Sequence, residues 1–105
     1  MNKRVVVTGI GIVSCIGNNK TEVLDSLLNT KSGIVFSEDH KKYKFRSQVV
    51  GSVKNLNLSE HIHRKQLRFM GDGSAYNYIA MNEAIKDSAL EQKEVSNDNT
   101  GIIMG

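Results

Sequence analysis

The chain has 105 residues, 39% of them hydrophobic, with one cysteine and neither proline nor tryptophan. A single cysteine excludes an internal disulfide and fits a reducing compartment, and no Pro-rich or Gly/Ser tether divides the sequence, so residues 1–105 are read without an internal boundary. The net charge of +3 conceals a division: residues 40–70 hold eight Lys/Arg against one acid, a balance of +7, which favours an acidic partner or nucleic acid over neutral ones unless it is simply a solvated basic face.

After Lys3 and Arg4, the run Val5-Val6-Val7-Thr8 is β-branched and leads into Gly9-Ile10-Gly11. It is expected to form a strand buried on both faces that ends where the backbone bends or packs closely. The run is too short and too interrupted for a signal peptide or a membrane span, so the protein is expected to be cytoplasmic. Gly9-x-Gly11 invites a dinucleotide fingerprint, but Ser14 stands at the third glycine position and the next glycine is Gly17. Asn19 and Glu22 have capping-box spacing, and Val23, Leu24, Leu27 and Leu28 then make one stripe on a helix of about three turns. Ser32-Gly33 ends that helix, and Ile34-Val35-Phe36 returns as an extended segment.

Ser37 to Lys44 is polar and charged and reads as a surface loop, and Phe45 to Val53 as a weak edge strand. Leu56, Leu58 and Ile62 anchor a loop or short helix. Arg64-Lys65-x-x-Arg68 then projects three cations together from a helical turn, with Arg64 and Arg68 four residues apart and Leu67, Phe69 and Met70 available to pin the turn. A long helix is expected from about Phe69-Met70 to about Leu90, carrying Ala75, Tyr76, Ile79, Ala80, Ala84 and Ile85. Gly71 and Gly73 belong at its first turn, because each costs roughly 1 kcal/mol in a helix interior. After a polar connection, Thr100 to Gly105 is expected to begin a second buried strand. An uncovered buried strand is an unusual end for a domain, so the sequence reads as truncated.

The residue chemistry alone offers no catalytic constellation. Cys15 lies in an apolar turn without a charged neighbour in sequence and reads as a small buried hydrophobe rather than a thiolate nucleophile. His61-x-His63 has no accompanying ligand set, so no metal is expected there. No P-loop, G-x-S-x-G or paired-cysteine motif occurs.

Three stretches carry a family resemblance: Arg4-Val5-Val6-Val7-Thr8-Gly9-Ile10-Gly11-Ile12-Val13-Ser14, Ser32-Gly33-Ile34, and Ile62-His63-Arg64-Lys65-Gln66-Leu67-Arg68-Phe69-Met70. They resemble the N-terminus of the β-ketoacyl-[acyl-carrier-protein] synthases, in particular the type I elongating enzymes of bacterial fatty acid synthesis. The resemblance runs from Lys3 to Gly105 and implies an α/β, thiolase-like fold, of which this chain would be the N-terminal portion. It implies decarboxylative condensation of acyl groups with malonyl-carrier protein by a cysteine nucleophile, two histidines and a supporting lysine, all lying beyond Gly105. Cys15 falls where relatives commonly have serine, and the 105 residues alone are expected to be inactive.

The resemblance also implies that Arg64, Lys65 and Arg68 dock acyl- and malonyl-loaded acyl carrier protein, in agreement with the charge balance. It implies a homodimer without a cofactor, a nucleic-acid partner or a membrane partner. Relatives commonly have aspartate at the position of His63, so the docking edge is expected to be more basic here, and the glycines around Asp72 leave the start of the long helix open. Two other classes remain: a small basic α/β module for an acidic protein or nucleic acid, which lacks a recognised motif and the expected interleaved exposed aromatics, and a nucleotide-binding α/β domain, which lacks the third glycine.

Overall fold

Asn19 opens the first regular element of the computed structural model, which describes residues 2–105. Its side chain accepts the Glu22 N–H at the start of helix α1 (Lys20–Leu28), as the spacing predicts, while the Glu22 carboxylate reaches back one residue further and accepts the Asn18 N–H at 2.7 Å in place of that of Asn19. Strand β1 (Ile34–Phe36) follows, then helix α2 (Glu38–Lys42) and strand β2 (Val49–Gly51). A 3-10 turn (Leu58–Glu60) leads into the one-turn helix α3 (Arg64–Leu67). The long helix α4 (Asp72–Ser88) and the short α5 (Gln92–Val95) complete the order.

β1 and β2 pair antiparallel, Ile34 with Gly51, Val35 with Val50 and Phe36 with Val49. Val35 and Val50 are half-buried on one face, while Ile34, Phe36 and Val49 on the other are exposed. The described residues thus form a small α/β unit with one two-stranded sheet.

The buried core sits where α4 crosses the 3-10 turn and α3. Ile62, only 2% exposed, packs with Ala75 and Ile79 of α4, and Val13, Leu56, Leu58, Leu67 and Met70 close around them. Val23 and Ser26 of α1 are also buried, and the Ser26 hydroxyl donates to the Ile16 carbonyl at 2.6 Å. The radius of gyration is 17.2 Å, against about 13 Å for a compact domain of this length. The accessible surface is 8957 Å², where a compact protein of this mass exposes roughly 5,800 Å². Much apolar surface therefore has no partner within the chain.

That surplus explains where the structure departs from the sequence reading. Val5, Val6 and Val7 carry no strand ladder and are exposed, and Ile102 and Ile103 near the C-terminus behave likewise. A strand is defined by its neighbours, and among the described residues neither segment has one. On α1 only Val23 of the apolar stripe is buried; Leu24, Leu27 and Leu28 face outward. The polar stretch after β1 is not a loop but α2, capped by Ser37, with acids in its first turn and bases in its last. The edge strand is shorter than expected, and the connection after α4 contains α5, closed by a reciprocal Glu91–Glu94 capping box.

Gly9 and Gly11 are explained by α4. A Cβ on either would collide with the α4 backbone, Gly9 at Ala84 and Ser88, Gly11 at Ala80 and Ala84. On the same helix Glu83 accepts the Ile12 N–H at 2.9 Å and Asp87 the Ile10 N–H at 3.0 Å. Two glycines on one side and two amides on one edge, each pair two residues apart, give the period of extended chain lying along the helix. Glu83 also accepts the Lys20 N–H at 2.8 Å, and Lys20 pairs through Nζ with Asp87, so α1 is fastened at the same place.

Candidate functional site

The three cations singled out in the sequence lie on α3 and its C-cap. Ile62, buried immediately before the helix, and Leu67, packed into the core cluster, fix the turn from its inner side. Arg64, Lys65 and Arg68 are left on the outer side and are exposed. The turn is held at both ends: the Lys65 N–H donates to His63 Nδ1 at 3.2 Å, and the Arg68 N–H reaches the Arg64 carbonyl at 3.4 Å. The Arg68 guanidinium lies 4.8 Å from the centre of the Phe69 ring, which limits its sweep.

His63, Arg64, Lys65 and Arg68 together line an open, shallow depression. Among the described residues, the ion pairs are Lys20–Asp87, Lys31–Asp25 and Lys93–Glu91, so none of these three cations is already neutralised by a carboxylate. Such a constellation binds anions; it contains no nucleophile and no proton-transfer pair.

His63 serves as the cap of α3. Its Nδ1 accepts the Lys65 N–H, the role that the side chain of an N-cap residue takes. An aspartate would fill the same role as an N-cap.

Gly9 and Gly11 face the C-terminal half of α4 instead of opening a helix N-terminus, so the geometry of a dinucleotide fingerprint is not formed. Cys15 is half-buried, with its Sγ packed over Gly33 and Gly51 at the end of the β1–β2 pair. A Cβ on Gly33 would approach that sulfur to 2.8 Å and one on Gly51 to 3.0 Å. Its place is that of a wedge. His63 is committed to its cap, and His61 is exposed on the preceding turn.

The sequence reading missed Glu83 and Asp87, whose hydrogen bonds fasten the N-terminal segment. Their spacing of four on the helix was a signal, but its targets are backbone amides that no sequence pattern marks. It also passed over Tyr43 and Phe45. These two exposed aromatics alternate with Lys42, Lys44 and Arg46, although interleaved aromatics were expected to be lacking.

Residues 2–105 match the family model described as the β-ketoacyl synthase, N-terminal domain. The chain is 53% identical over 103 residues to 3-oxoacyl-[acyl-carrier-protein] synthase 1 of Haemophilus influenzae, covering 98% of this chain and 25% of that protein. It is 47% identical over 104 residues to the synthase 1 of Escherichia coli, again 98% of this chain and 25% of the other. With 3-oxoacyl-[acyl-carrier-protein] synthase 2 of Staphylococcus aureus it shares 35% identity over 106 residues, 99% of this chain and 25% of that one. The chain spans about a quarter of the length of the curated relatives it matches.

Proposed function

The chain belongs to the β-ketoacyl synthase N-terminal-domain family, and from that premise we propose that it is the N-terminal part of a 3-oxoacyl-[acyl-carrier-protein] synthase whose α3 edge receives acyl carrier protein. In this reading the whole enzyme has a thiolase-like fold, works as a homodimer in the cytoplasm and extends acyl chains by decarboxylative condensation during fatty acid synthesis. The nucleophile and its histidines are supplied by residues outside this chain, and Cys15 takes no part. No helix among the described residues is long and apolar enough to cross a membrane.

One observation carries the docking role. Arg64, Lys65 and Arg68 are exposed on one short turn that Ile62 and Leu67 anchor from beneath, and among the described residues they belong to no ion pair. Cations that have no carboxylate of their own need break no existing ion pair when an external one arrives. The names of the matched proteins identify acyl carrier protein as what those enzymes act upon, and an acidic carrier is complementary to this edge.

The test is titration of the chain with acyl carrier protein at low and at physiological salt. Binding should weaken as salt rises, because exposed charges are screened over about 8–10 Å near physiological ionic strength. Arg64→Glu/Arg68→Glu should abolish it, while Lys93→Glu, at a cation already paired with Glu91, should change it little. Equal loss in both variants would defeat the docking assignment.

A further inference from the structure

We propose that the edge built by α2 and the turn after it docks on an anionic phospholipid bilayer. The surface consists of Lys41, Lys42, Tyr43, Lys44, Phe45 and Arg46, with Phe36 of β1 beside them. It lies outside the α3 cluster and does not depend on the docking reading given for that cluster.

Its geometry is fixed by the backbone. The Tyr43 N–H donates to Asp39 O at 2.9 Å, the Lys44 N–H to Lys41 O at 3.0 Å and the Phe45 N–H to His40 O at 2.8 Å. Lys44 takes a left-handed conformation, φ 57°, which turns the chain back so that Phe45 rejoins the helix. The His40 ring then packs on Phe45 with centroids 4.8 Å apart. Tyr43 remains 65% exposed, Phe45 52% and Phe36 51%, although each is large and apolar. Lys41, Lys42, Lys44 and Arg46 are exposed and, among the described residues, belong to no ion pair. Glu38 and Asp39 sit at the opposite end of the helix, in its first turn.

The arrangement of rings and cations selects the partner. Lys41 Nζ lies 5.8 Å from the Phe36 ring centre and Lys42 Nζ 5.6 Å from that of Tyr43, so cations and rings are interleaved on one surface. Tyr43 and Phe45 are tilted 37° to each other and form no parallel slot for a base. A purely acidic protein surface would engage the lysines and leave three aromatic rings in water. A bilayer interface engages both groups, with phosphates taking the ammonium and guanidinium groups and the aromatic rings settling at headgroup level. Such contact needs no spanning helix, so it departs from the sequence expectation of no membrane partner without conflicting with the absence of a membrane span among the described residues.

Co-sedimentation of the chain with vesicles of pure phosphatidylcholine, and of phosphatidylcholine with phosphatidylglycerol, tests the proposal. The chain should pellet with the anionic vesicles and stay in solution with the neutral ones. Lys41→Glu/Lys42→Glu should lower partitioning by at least about thirtyfold, the loss expected from removing the attraction of two basic residues alone. Tyr43→Ser/Phe45→Ser should remove the part of the binding that survives high salt. Lys93→Gln, in contrast, should leave vesicle binding within about a factor of two, because that cation is already paired with Glu91 and lies outside the patch. Circular dichroism checks that each variant is folded. Equal pelleting with neutral vesicles, or none with anionic ones, overturns the assignment. So does binding to a single-stranded oligonucleotide that is as tight and is lost with Tyr43→Ser/Phe45→Ser.

Discussion

Gly11 rests directly on the backbone of Ala80, so close that a methyl group on Gly11 would penetrate the Ala80 carbonyl oxygen. This contact, repeated by Gly9 at Ala84, makes the glycines of the N-terminal segment and the alanines of α4 a single close-packed seam.

Gly11→Ala should therefore destabilise the chain by at least about 1–3 kcal/mol, the range for overpacked sites, since backbone atoms cannot step aside as a flexible side chain can. Gly73→Ala is the matched control. Gly73 lies in the first turn of α4 with open space around its Cα, and alanine there should add roughly 0.5–1 kcal/mol. Urea unfolding of both variants measures the contrast, and similar midpoints would refute the seam.

Asp87 gives the chain an acid-sensitive fastening. Its carboxyl is held below the usual carboxylate range, first by the hydrogen bond from Lys20 and then by the one from the Ile10 amide. A group whose folded value is depressed stabilises the fold above its unfolded value, and that contribution is lost as pH falls through the folded value. Asp87→Asn should lower the urea midpoint at about pH 7, and the gap to the parent should close on acidification below the ordinary carboxylate range. A gap independent of pH would show that the carboxylate's charge is irrelevant.

His63→Asp should separate stability from docking. A carboxylate is the stronger N-cap, so the melting temperature should rise, by about 0.5–1 kcal/mol in free energy. The same carboxylate stands beside Arg64 and Lys65 and competes with the carrier's acidic residues, so carrier affinity should fall. Opposite movements of the two readouts are the expected result; a parallel rise would contradict the charge account of docking.

Cys15 should behave as packing. In the native chain, alkylation of its thiol should be slower than in urea. Cys15→Leu should cost about 1–3 kcal/mol by forcing bulk against Gly33 and Gly51. Rapid native alkylation with no change in stability would mean the sulfur is not wedged at all.

Elements made by local signals were legible in the sequence. Asn19 and Glu22 mark the start of α1, the apolar spacing of Ala75 and Ile79 marks α4, and Arg64, Lys65 and Arg68 occupy the exposed turn expected of them. Elements made by distant neighbours were not. Val5 to Val7 have strand composition, yet strand pairing depends on partners that no described residue provides. α2 escaped notice because its five residues are polar on every side, leaving only Ser37 and the sequence of acids before bases as clues. The cost of a side chain at Gly9 or Gly11 likewise became visible only once α4 was in place.

The carboxylates of Glu83 and Asp87 also impose a polarity on how the N-terminal segment can grow into a sheet. Amides two residues apart point to one edge, and those of Ile10 and Ile12 are already taken by side chains of α4. An incoming strand cannot pair along that edge at these positions. It must add from the opposite edge, or lower down beside Val5 to Thr8, where the exposed chain is still free to accept it. Two acids on a helix thus block one edge of the segment at Ile10 and Ile12 and leave the rest of it open to pairing.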